Sequence, residues 1–146
     1  MPNHIGKRRL LKLADLLEED AKNKKGLKFD MCEWGAGEDR TKPISCGTTA
    51  CAMGLAGLSG AFKRAGLKTE FRGDDKTFWL DFSFDGPAGA TSGAYYSAQL
   101  LFNITSQEAD FLFIPDFYPF DKLTGAKGER YVAKRIRDFV AGKVQP

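Results

Sequence analysis

Cys46-Gly47-Thr48-Thr49-Ala50-Cys51-Ala52-Met53-Gly54-Leu55-Ala56-Gly57-Leu58 carries no charged side chain, and its small and apolar residues recur at helical spacing. Cys51, Leu55, Leu58 and Phe62 make one stripe, and Ala50, Gly54, Gly57 and Ala61 make the next. A helix that is apolar or small on two adjacent stripes is covered on most sides, so the spacing predicts a buried helix at the centre of the fold. Ser45 or Cys46 is expected at its cap, with the hydroxyls of Thr48 and Thr49 serving the first free N–H groups. Glycine inside a helix costs about 1 kcal/mol against alanine. That cost is offset if another backbone packs closely on the Gly54/Gly57 stripe.

The flanking segments supply surfaces to cover such a helix. Leu10, Leu13, Ala14, Leu17 and Ala21 form an amphipathic stripe over residues 7–22, with Lys12, Asp15, Glu18 and Glu19 facing out, Lys22, Lys24 and Lys25 near the C-terminal end, and Gly26 as the stop. A second amphipathic helix is expected near 127–141, with Val132, Ile136, Phe139 and Val140 inward and Gly142 ending it. Residues 67–72 and 77–84 alternate with period two across Gly73-Asp74-Asp75, which predicts a β-hairpin with Leu67, Thr69 and Phe71 facing Phe78, Leu80, Phe82 and Phe84. Residues 35–43 read as a polar, mobile loop, and residues 85–93 as a turn-rich loop in which Thr91 or Ser92 caps the next helix. In that helix Tyr95, Ala98, Gln99 and Phe102 share a face. Thr105-Ser106-Gln107-Glu108 matches a capping box, and the helix it opens must end before Pro115.

The fold class expected is α+β: one domain over 1–146, mainly helical, with a small antiparallel hairpin packed on the central helix. At 146 residues and 42% hydrophobic the chain can bury one core. No window approaches a membrane span, the N-terminus is not built like a signal peptide, and three cysteines suit reduced thiols better than a secreted disulfide framework, so a cytoplasmic setting is expected. The net charge of +3 is unevenly spread: residues 1–28 hold eight basic against four acidic side chains, residues 122–146 seven against two, and residues 73–121 one against eight. Basic ends attracted to an acidic middle account for this; a basic face toward a nucleic acid is the other reading.

Catalytic sets are scarce. Cys46 at a helix N-terminus would be an activated nucleophile, but the single histidine, His4, lies far off in the N-terminal segment. Zinc could draw on Cys32, Cys46, Cys51 and His4, yet five residues along a helix separate two thiols by about 140°. A Cys46–Cys51 redox pair lacks the two-residue spacing of thioredoxin-like motifs, and Cys51 reads more simply as a small buried hydrophobe. The glycines at 54, 57 and 60 lie within a helix rather than between strand and helix, so they make no phosphate-binding loop. No catalytic residue, metal or cofactor is assigned.

Cys46-Gly47-Thr48-x-x-Cys51-x-x-Gly54, with Phe29-Asp30-Met31-x-x-Trp34 before it and Ile104-Thr105-x-x-Glu108-Ala109-x-x-Leu112-Phe113 and Arg135-Ile136-x-x-Phe139 after it, resembles a group of small uncharacterised proteins of bacteria and their phages. The resemblance covers most of the chain; it implies a bacterial or phage setting and a shared domain, and carries no activity. The function expected is therefore a small binding module acting on another protein. Its contact surface would be the aromatic-proline loop 115–120, with Phe117, Tyr118 and Phe120, or the 35–43 loop, with Trp34 beside it. A thiol enzyme or zinc protein centred on Cys46 and Cys51, and a nucleic-acid binder using the basic termini, are the alternatives.

Overall fold

A computed structural model describes the chain except for residues 46, 75 and 120–122. It is an α+β fold with five α-helices and a six-stranded mixed sheet. The elements run α1 (His4–Lys22), β1 (Lys28–Phe29), β2 (Ala36–Gly37), β3 (Thr48–Ala50), α2 (Ala52–Ser59), β4 (Leu67–Gly73), β5 (Phe78–Gly86), β6 (Gly89–Ser92), α3 (Ala94–Phe102), α4 (Ser106–Phe113) and α5 (Gly125–Val140), with a 3-10 turn at Pro115–Phe117.

The central helix is present but shorter than the spacing predicts. Thr48–Ala50 is a strand, parallel to β1 through Lys28↔Thr49 and antiparallel to β2 through Ala36↔Thr49. Cys51, not Ser45 or Cys46, is the N-cap: its backbone is extended and its sulfur accepts the Gly54 N–H at 3.5 Å. Gly60, at φ +73°, closes the helix in the left-handed conformation that glycine adopts without penalty. Burial holds as expected, since Ala52 through Ala56 are all inside. The two glycines are also explained. A Cβ on Gly54 would collide with the backbone carbonyl of Trp34, and one on Gly57 with the Thr69 hydroxyl and the Phe82 ring. Only the first of these neighbours is backbone.

The 67–84 hairpin forms, in the register Leu67↔Phe84 through Gly73↔Phe78, and Phe78, Leu80, Phe82 and Phe84 are buried. It belongs, however, to a larger sheet of order β1-β3-β2-β5-β4, with β6 on β5. Ala36–Gly37, read as part of a loop, is a strand between β3 and β5, and half of the 85–93 loop is β6, folded back on β5 across Pro87-Ala88. The cap of α3 is Gly93, without a side-chain hydrogen bond, so neither Thr91 nor Ser92 serves it. The capping box of α4 forms as read: Thr105 Oγ1 accepts the Glu108 N–H at 3.1 Å, and the Glu108 carboxylate accepts the Thr105 N–H at 2.9 Å.

The buried apolar side chains form one continuous cluster. α1 lies along α5 and also touches α2 and α3, so the two basic ends of the chain are joined. Part of their charge is consumed there, because Arg137 of α5 pairs with Asp15 and Glu18 of α1. The terminal ammonium on Met1 pairs with Glu108 at 2.9 Å, linking a basic end to the acidic middle. Among the described residues no helix is long and apolar enough to cross a membrane.

Candidate functional site

Trp34 is held from behind by the N-terminus of α2. Its carbonyl lies against Gly54 and receives the Cys51 S–H at 3.9 Å, while the next residue continues the β2–β5 pairing, the Leu80 N–H donating to the Gly35 carbonyl at 2.9 Å. A Cβ on Gly35 would collide with the Leu80 side chain, so the segment is pressed flat on β5. Alternation from the Ala36↔Trp79 pair puts Trp34 and Trp79 on the same, outward face of the sheet. Both rings reach solvent, at 40% and 52% of their full exposure.

β2 pairs with β5 only at Phe78 and Trp79, and β6 only from Ser83 onward, so the edge of β5 between them has no strand beside it. A groove of about 490 Å³ opens there, lined by Trp34, Leu80, Asp81, Phe82, Ser83 and Ser92–Ala94, and reaching Glu70 and Arg72 of β4. Arg72 bridges the two carboxylates, donating through Nε to Asp81 at 2.8 Å and lying 3.0 Å from Glu70. These pairs are exposed and contribute little to stability. They leave a groove with one indole, Trp34, two carboxylates and one guanidinium, and Trp79 lies outside its lining on the same face of the sheet.

The aromatic-proline loop divides. Tyr118 is buried, its hydroxyl donating to the Leu112 carbonyl at 2.7 Å and its ring stacked under the Arg135 guanidinium, 3.7 Å from the ring centre. It is a packing residue, which corrects its expected place on a contact surface: desolvation and the carbonyl bond outweigh any reason to face water. Phe117 is 51% exposed in the 3-10 turn, and its carbonyl accepts from Arg135 at 2.7 Å. Phe120 lies outside the described residues. The groove that Trp34 lines does not include Phe117 or Tyr118. Trp79 was missed by the sequence reading; its signal was the single aromatic side chain in the outward register of a strand whose other rings all point in.

The thiols are poorly placed for chemistry. Cys51 is buried, and burial pushes its pKa up to about 12, so it remains a thiol. Cys32 is exposed, with its pKa raised by desolvation and by the carboxylates of Asp30 and Asp116. Cys46 lies outside the described residues, and α2 does not begin beside it. Among the described residues no group of three or more His, Cys, Asp or Glu side chains is arranged to hold a metal ion.

A second feature had no place in the sequence reading. Asp20 of α1 and Glu129 of α5 are both buried and hydrogen-bonded to each other across the helix interface. Desolvation raises both pKa values, Glu129 to about 9, so the pair keeps a proton at neutral pH. They line an open depression with Asn23, Lys24, Lys28, Asp30, Thr49 and Thr124. The sequence signal was a carboxylate on each inward stripe: Asp20 three residues after Leu17, and Glu129 three before Val132.

No protein-family model matches the chain, and no significant match is found among curated proteins or solved structures. The functional reading therefore rests on the geometry above.

Proposed function

We propose that the protein is a small cytoplasmic binding module, of bacterial or phage setting, that acts through protein–protein contact and seats a segment of its partner in the Trp34 groove. The observation that carries this reading is Trp79. On β5 every other aromatic ring faces the core, whereas this indole stands half exposed on the outer face of the sheet, the face that also carries Trp34 at the groove. Tryptophan is enriched where proteins meet, because its large rigid surface is desolvated at little entropic cost. Glu70 and Asp81 beside the indoles favour a partner segment bearing Lys or Arg, which gains both charge pairing and contact with a ring face.

The test is affinity capture from host cells with the wild-type chain, a Trp34→Ala/Trp79→Ala variant and a Phe117→Ala variant. A partner retained by wild type and by the Phe117 variant but lost by the double variant supports the groove. A partner that binds the double variant as well as wild type, or one lost only with Phe117, overturns it.

A further inference from the structure

β4 ends the sheet, and its free edge is the longest presented by any terminal strand among the described residues. The direction of its backbone groups follows from the hairpin. The Asp74 N–H donates to the Thr77 carbonyl and the Asp85 N–H to the Gly66 carbonyl, so the even-numbered residues of β4 bond to β5 and the odd-numbered ones point outward. Of these outward groups, the Leu67 N–H is taken by the Phe62 carbonyl and the Phe71 carbonyl is approached by Arg40 at 3.4 Å. Among the described residues nothing pairs with the N–H and carbonyl of Thr69, the Phe71 N–H or the Leu67 carbonyl.

The side chains on this edge are complementary to themselves in one register. We infer that two copies of this chain pair antiparallel along β4 about a two-fold axis at Thr69. Thr69 then exchanges both backbone hydrogen bonds with the partner's Thr69, and the Phe71 N–H reaches the carbonyl of the partner's Leu67. On the outer face Lys68 stands opposite the partner's Glu70, and Glu70 opposite the partner's Lys68, in the closely spaced non-hydrogen-bonded positions. On the inner face the half-buried Phe71 comes over the backbone of the partner's Leu67, whose own side chain is buried in its core. A neighbouring register that keeps the faces matched sets Glu70 against the partner's Glu70 and, on each side of the axis, Lys68 against the partner's Arg72, three like-charge contacts, so the charge pattern selects the first over it.

The surroundings admit a second strand. A groove of about 480 Å³ runs along this edge, lined by Leu67, Thr69 and Phe71 with Pro43, Leu58 and Lys63; Leu67 is buried, and Leu58 and Phe71 are only partly covered in one chain. Pairing would cover Phe71 and Leu58 and extend the sheet across the axis. Lys68 and Glu70 are both well exposed, and their present partners Asp85 and Arg72 are surface groups, so neither must leave a buried site to meet the other copy.

The test is sedimentation equilibrium of the full chain over a range of concentrations, with Lys68→Glu, Glu70→Lys and the combined swap Lys68→Glu/Glu70→Lys. Wild type is expected to be a dimer. Each single reversal creates two like-charge contacts and should raise the dissociation constant by roughly tenfold or more, and the swap should return it to within about threefold of wild type. Hydrogen exchange at the Thr69 and Phe71 amides should slow as the concentration rises through the dimerisation range. A wild-type chain that stays monomeric overturns the proposal. A dimer indifferent to the reversals, or one the swap does not restore, also overturns it, because that dimer uses another surface. The readout is self-association alone and does not depend on the Trp34 groove having a partner.

Discussion

Glu129→Gln removes one ionisable group from the α1–α5 interface at nearly constant volume, and its effect on stability can be worked out in advance. In the folded protein burial, reinforced by the hydrogen bond to and charge of Asp20, raises Glu129 from 4.5 to about 9. The folded state therefore holds a proton that the unfolded chain has already released, and folding loses stability as pH rises between those two values. Each pH unit in that window corresponds to 1.36 kcal/mol per proton, so the wild-type chain should lose ~4 kcal/mol between about pH 5 and about pH 8. Glutamine cannot ionise and can still donate to the Asp20 carboxylate. The variant should unfold at a urea concentration that changes little over this range, with a stability curve crossing above that of wild type on the alkaline side. Urea titrations of both proteins at four or five pH values measure this directly. Parallel pH dependences for the two proteins would refute the reasoning, since they would mean that Glu129 is ionised in the fold and that the pair holds no shared proton.

Gly54→Ala should destabilise the protein by about 2 kcal/mol: the ~1 kcal/mol gain in helix propensity is outweighed by collision with the Trp34 carbonyl, a backbone atom tied to α2. Denaturant unfolding checks it, and a stabilised variant would mean that the close approach is absent. Arg135→Ala should cost about 2 kcal/mol, because it removes hydrogen bonds to the carbonyls of Phe111 and Phe117 and the cation over Tyr118 and Phe111. Arg135→Lys should recover only part of this, and full recovery in thermal melts would show that charge alone matters. Alkylation of the native protein followed by peptide mapping should label Cys32 and leave Cys51 unmodified until the chain unfolds. Rapid native labelling of Cys51 would contradict its burial and its raised pKa.

The features legible in the sequence are those governed by neighbours along the chain. The α1 stripe, the inner face of α5, the alternation of β4 and β5, and the Thr105/Glu108 capping box depend on periodicity or on groups three residues apart, so they survive without knowledge of the fold. The close packing at Gly54 was also readable, because glycine in a buried helix needs a reason. Tertiary structure alone decided that Thr48–Ala50 leaves the helix for the sheet: three residues carry no period, and their conformation is set by pairing with Lys28–Phe29 on one side and Ala36–Gly37 on the other. That pairing moved the cap to Cys51, whose thiol and helix together hold the Trp34 backbone in place. It also lay beyond sequence that Tyr118 turns inward under Arg135 while Trp79 turns out, and that Asp20 and Glu129, more than a hundred positions apart, are buried against each other. Burial and proximity between distant residues are properties of packing, and packing is where a local pattern stops being informative.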